Sequence, residues 1–102
     1  MDGPETCSKV EAAFGLLSRK WVGLLINTLM GGEQHFCELE RALPALSARV
    51  LTVRMKELEQ FGIVDRIVST ESPIRVSYRL TAKGRALEPV MRSIADWAYQ
   101  ST

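Results

Sequence analysis

A mostly α fold with a small antiparallel β hairpin is what this sequence of 102 residues predicts, and three observations carry the prediction. Apolar residues recur at helical spacing up to Phe61. After Gly62 the period changes, and Ile63–Val68 and Val76–Leu80 are short, β-branched and partly alternating, as strands are. Beyond Thr81 a helical period returns.

Each element follows in order. Val10, Ala13, Phe14 and Leu17 stand at i, i+3, i+4 and i+7, which predicts a first helix over about residues 8–17. Ser18 is placed to cap a second helix that carries Trp21, Leu24, Leu25 and Leu29 on one face and stops at Gly31-Gly32. A short helix over Phe36–Leu43 turns Phe36, Leu39 and Leu43 inward, and Pro44 closes it. Ser47 offers the next N-cap, for a helix from Ala48 to Phe61 with Leu51, Met55 and Leu58 buried and Gly62 at its C-terminal end. Between the two strands, the polar segment Ser69–Ile74 contains Pro73 and makes an extended loop. Thr81 caps a last helical region in which Pro89 marks a break or a first turn. Leu87, Val90, Met91, Ile94, Trp97 and Ala98 give that region a broad apolar stripe. A short helix, a tight Pro-containing turn, a basic helix and a hairpin make a winged helix-turn-helix.

Composition narrows the function. Apolar residues are 46% and charged residues 25% of the chain, enough for one core and too little for a separate catalytic domain. No apolar run spans a bilayer, and the acidic start Met1–Thr6 lacks the basic and apolar parts of a signal peptide, so a cytoplasmic protein without membrane contact is expected. The net charge of +1 is uninformative, but its distribution is not. Arg41, Arg49, Arg54 and Lys56 fall in a stretch without an acid, as in a DNA reader of confined footprint; a solvated helix face is the plainer reading. The single histidine, the lack of a glycine-rich phosphate loop and the scattered carboxylates predict no catalytic site. No cofactor is expected. Cys7, His35 and Cys37 lack the close spacing of a structural zinc site, so no metal is expected either.

The chain resembles the HxlR family of bacterial winged-helix regulators along almost its whole length. The resemblance rests on Lys20-Trp21, His35–Leu39, Arg41–Pro44, Ser47–Thr52, Arg54–Glu59, Gly62–Arg66, Val76–Thr81, Gly84 and Trp97, in the family's order. Ser18-Arg19 replaces a usual Gly-Gly, Cys37 a usual Asn, and Ser72-Pro73 or Pro73-Ile74 a usual Pro-Pro in the wing. The resemblance implies a MarR-like domain over residues 1–102, with a recognition helix over about 47–61, a wing over about 63–80 and dimerisation by about 8–17 and 82–101. It also implies a homodimer on a palindromic operator in double-stranded DNA, a response to oxidants, electrophiles or a small-molecule effector, and often a cysteine near the N-terminus, where Cys7 stands.

On the basic helix, the face opposite the core stripe carries Arg49, Thr52, Val53 and Lys56. Arg49, in the first turn, is the candidate for guanine and Thr52 for a base or thymine methyl. Arg54 and Lys56 are candidates for phosphate; an ion pair with Glu57 or Glu40 is the other reading of Arg54. Ser47 can cap the helix and bind phosphate. His35 and Lys20 are candidate backbone contacts or plain surface residues, and Ser72 and Arg75 are the candidates in the wing. Val10, Phe14, Leu17, Val90, Ile94 and Trp97 are costly to leave in water, so a dimer interface is expected, against Trp97 packing on its own monomer. Cys7, at a helix start, is the candidate thiol sensor. Cys37 is either a second sensor or a small buried apolar residue, and a Cys7–Cys37 disulfide between subunits stays open. The competing use of the same fold is a protein–protein interaction module.

Overall fold

The computed structural model describes residues 4–100, with side chains from Ser8 onward. Helix α1 (Pro4–Leu17) begins four residues before the expected Ser8, with Pro4 in the first position, where a missing N–H costs nothing. Ser18 closes this helix and does not cap the next one: its N–H bonds the Phe14 carbonyl at 2.9 Å and its hydroxyl donates to the Gly15 carbonyl at 3.2 Å. Helix α2 (Val22–Leu29) therefore starts later, after Trp21 at a φ of 81°. The shift rotates its buried stripe to Val22, Leu25, Ile26 and Leu29, which leaves Leu24 exposed instead of inward. Gly32, at a φ of 133°, ends the element as expected.

Two residues, β1 (Gln34–His35), then form a strand that the sequence did not announce. Helix α3 (Phe36–Ala42) follows, with Leu39 buried and Phe36 and Leu43 packed against the core. Ser47 caps α4 (Ala48–Gln60) by accepting the Val50 N–H at 3.2 Å, and Leu51, Met55 and Leu58 are fully buried, as the periodicity predicts.

Gly62, at a φ of 76°, turns the chain into β2 (Val64–Val68), which pairs antiparallel with β3 (Val76–Leu80) in a register of Val64 opposite Leu80 and Arg66 opposite Tyr78. The expected hairpin is thus part of a three-stranded antiparallel sheet, ordered β1-β3-β2. Thr81 caps α5 (Ala82–Arg85) through the Gly84 N–H. A break at Ala86 and Leu87 leads to α6 (Glu88–Gln100), with Pro89 in its first turn. The core lies where α2, α3 and α4 meet the sheet. By contrast α6 fully buries none of its described side chains, and Phe14 on α1 is 69% exposed. No described helix is long and apolar enough to cross a membrane.

Candidate nucleic-acid interface

The core stripe of α4 fixes what the helix shows to solvent. With Leu51, Met55 and Leu58 inward, Arg49, Thr52, Val53 and Lys56 are exposed. The Thr52 hydroxyl donates to the Ala48 carbonyl at 2.9 Å, which uses its hydrogen and leaves its oxygen able to accept. Ser47, whose oxygen is engaged in the cap, is exposed at the helix N-terminus.

The cations of the chain separate into two groups. Arg19 and Arg54 both pair with Glu57, at 3.4 and 3.0 Å, Arg79 with Asp65 and Arg92 with Glu88. Among the described residues, Arg41, Arg49, Lys56, Arg66 and Arg75 pair with no carboxylate, and neither do Lys9, Lys20, Lys83 and Arg85 elsewhere on the molecule. Arg49 and Lys56 stand on the open face of α4. Arg41, Arg66 and Arg75 line one cleft of about 690 Å³ between α3, α4 and the sheet, together with Thr52, His35 and Cys37. Three guanidiniums around one concavity, with no carboxylate among the residues that line it, form an anion seat beside the exposed face of α4.

Other expected contacts are placed differently. Arg54 takes the ion-pair alternative: its Nε donates to the Lys20 carbonyl at 2.9 Å and its Nη1 to Glu57 at 3.0 Å, so the side chain ties α4 to the turn after α1. Lys20 holds its ammonium 5.3 Å from the centre of the Trp21 ring. The backbone N–H of His35 donates to Glu38 at 2.6 Å, and its Nδ1 is enclosed with no hydrogen-bond partner among the described residues. Ser72 and Arg75 are exposed in and after the wing loop, as a contact there requires, and a smaller cavity joins both to His35.

Cys37 is exposed and free, which corrects its reading as a buried residue. As the second residue of α3 it lies on the far side of the helix from Leu39, the fully buried position. The Cys7 side chain, and residue 101 at the end of the expected dimerisation segment, lie outside the described residues. Val10, Phe14, Val90, Ile94 and Trp97 are exposed, while Leu17 is half-buried against its own core.

Arg41 and Arg66 are members of the cleft that the sequence reading left out of the site. Arg66 shares a strand face with Val64, which the alternation marks as a core face. Only its position opposite Tyr78, where the sheet opens into the cleft, shows that this face has become a surface. Arg41 had one signal, its place in the acid-free basic segment.

Comparisons with known proteins identify the fold and the family. The chain is 48% identical over 100 residues to the HTH-type transcriptional regulator YvaP of Bacillus subtilis (strain 168), covering 98% of this chain and 93% of that protein. It is 45% identical over 98 residues to the transcriptional regulator YodB of the same organism, covering 96% and 88%. The reduced form of YodB superposes with a TM-score of 0.86 at 44% identity, over 98% of this chain and 94% of the other. A quinone-bound form of YodB superposes at 0.82, with 43% identity over 90% and 96%. The redox regulator HypR in its reduced form gives 0.84 at 36% identity over 90% and 91%. Residues 16–102 match the HxlR-like helix-turn-helix family. With this coverage and these relatives, the chain belongs to the HxlR-like helix-turn-helix family of transcriptional regulators.

Proposed function

We propose that the chain binds a palindromic operator in double-stranded DNA as a homodimer, and that oxidants or electrophiles change that binding through Cys7. One observation carries the first half. Among the described residues, five of the nine cations without a carboxylate partner lie on the open face of α4 or in the cleft beside the wing, where a sugar-phosphate backbone would follow the groove. In this reading Arg49 and Thr52 read bases and Val53 packs on a thymine methyl, while Lys56, Ser47 and the three cleft arginines hold phosphates. His35 completes the cleft, Ser72 reaches the backbone from the wing, and Lys20 lies at the rim. Arg54 is a positioning residue that fixes the angle of α4. The domain divides as the sequence reading has it: recognition over about 47–61, wing over about 63–80, dimerisation by the first and last helices.

Support for pairing comes from Val10, Phe14, Val90, Ile94 and Trp97, exposed apolar side chains at helical spacing on α1 and α6. Isologous pairing of such faces sets two α4 helices about 34 Å apart, one turn of DNA. Regulation by a thiol draws support from the relatives, a quinone-bound YodB and the redox regulator HypR, and from the helical position of Cys7 in α1.

The test is fluorescence anisotropy on DNA from upstream of the chain's own gene against a scrambled competitor, across a salt series, before and after diamide. Selective, steeply salt-dependent binding that diamide changes, and that diamide does not change in Cys7→Ser, is the expected result. Salt-independent binding, or no selectivity at any salt, refutes the operator reading and favours a protein partner for this face. Selective binding indifferent to diamide refutes the thiol half alone.

A further inference from the structure

The cleft lined by Arg41, Arg66 and Arg75 also holds a nucleophile, the exposed thiol of Cys37. We propose that this thiol is a modification site, at which a small disulfide bearing carboxylates forms a mixed disulfide and thereby occupies the cleft. The effect on DNA rests on the operator reading, while the reaction itself does not. The volume of the cleft, about 690 Å³, lies in the range of small-molecule sites, about 300–1,000 Å³.

Charge decides which disulfides reach Cys37. Cys37 is the second residue of α3 and Arg41 stands four residues on, so the two lie on one face of that helix. The other guanidiniums come from the sheet, Arg66 on β2 and Arg75 just before β3, and no carboxylate lines the concavity. Three such groups raise the local concentration of an anion and lower that of a cation. Independently of the cations, His35 lines the same cleft, and its enclosed Nδ1 has no hydrogen-bond partner among the described residues. An unmet polar group on the wall of a cationic cleft marks a place made for a polar occupant.

The exchange balances without a further oxidant. The Cys37 sulfur, as thiolate, attacks one sulfur of the disulfide, and a new S–S bond forms as the old one breaks. The electron pair leaves on the other sulfur, which takes up the proton that Cys37 gave to water. The half that is retained brings its carboxylates to the arginines proposed for phosphates, so it and DNA compete for the same donors. Diamide carries no charge and supplies no thiol for a mixed disulfide, so the response to diamide reports on Cys7.

The experiment uses the full chain as Cys7→Ser, in which Cys37 is the one remaining cysteine. Intact mass follows its reaction with oxidised glutathione, which is anionic, and with cystamine, which is cationic. Each rate is divided by that of N-acetylcysteinamide with the same disulfide, which removes the intrinsic reactivity of the reagent. Oxidised glutathione is expected to be favoured at least about tenfold, and the preference to vanish in about 1 M salt. Arg41→Gln, whose fold circular dichroism verifies, lowers the preference several-fold. The glutathionylated chain is expected to lose operator affinity at least about tenfold and to lose about two to three from the slope of log affinity against log salt. Dithiothreitol restores both. No reaction at Cys37, no preference for the anion, a preference that persists in high salt, or a modified chain that binds the operator as tightly as the unmodified one overturns the proposal. If the unmodified chain does not select the operator while the anionic preference holds, the operator reading falls and the modification site stands.

Discussion

The Arg54 guanidinium donates from Nε to the backbone carbonyl of Lys20, 2.9 Å away in the turn between α1 and α2, and so anchors the helix that carries Arg49 and Lys56. The same guanidinium pairs with Glu57, which Arg19 also reaches from that turn. One planar group thus satisfies a carbonyl and a carboxylate at once. An ammonium is a single point charge and cannot span the two with the same geometry.

Arg54→Ala is therefore expected to lower stability by about 1–2 kcal/mol, most of it from the charged hydrogen bond to the carbonyl, since a partly exposed ion pair contributes little. Arg54→Lys should recover less than half. Urea unfolding with an unchanged slope measures both, and an alanine variant as stable as the parent would show that the anchor carries no weight.

Gly84 is predicted to be the least replaceable glycine. A Cβ built there collides with the Ile63 carbonyl oxygen and stands 3.0 Å from Leu80 Cδ2. That carbonyl also accepts the Thr81 N–H at 2.9 Å, so it is held in place. Gly84→Ala should cost about 3 kcal/mol by overpacking, read as a fall in thermal midpoint, whereas Gly15→Ala, which meets open space, should not destabilise.

These two anchors show where sequence reasoning worked and where it stopped. The helical spacing of Leu51, Met55 and Leu58 was sufficient to orient α4, because an apolar stripe at that period has only one stable way to face a core. The caps at Ser47 and Thr81 were legible because each is a short-range hydrogen bond. The strand Gln34–His35 was not, since two residues carry no period and the strand exists only through its pairing with Ser77 and Tyr78 of β3. Ser18 failed for a related reason: a serine between two helices can serve either, and the backbone decides. Arg66 stayed hidden because an alternating strand does not say where its inner face leaves the core.

On DNA, Arg49→Ala is expected to cost about 1–3 kcal/mol and to relax specificity at one base step. Lys56→Ala, Arg41→Ala and Arg66→Ala should each weaken all sequences alike and reduce the slope of log affinity against log salt by about one. Anisotropy titrations at several salt concentrations separate the two behaviours. Because none of these cations pairs with a carboxylate among the described residues, their removal should leave stability within about 0.5 kcal/mol. A variant that unfolds early would place its arginine in the scaffold, not at the interface.

The last prediction concerns the pairing face. Ile94 is 52% exposed on α6 and Phe14 is 69% exposed on α1, and burying what remains exposed would gain each about 1–2 kcal/mol. A glutamate in either place keeps the monomer core intact, because Leu25, Ile26, Leu51 and Met55 are untouched. Ile94→Glu should therefore sediment as a monomer at concentrations where the parent is a dimer, with its helical circular dichroism retained. Its melting temperature should lose the concentration dependence that association gives the parent. Operator affinity should fall much further than nonspecific affinity, since two half-sites then bind independently and the gain from linking them is lost. A parent chain that is already monomeric, or an Ile94→Glu variant that still sediments as a dimer, would move the interface elsewhere and with it the spacing of the two α4 helices.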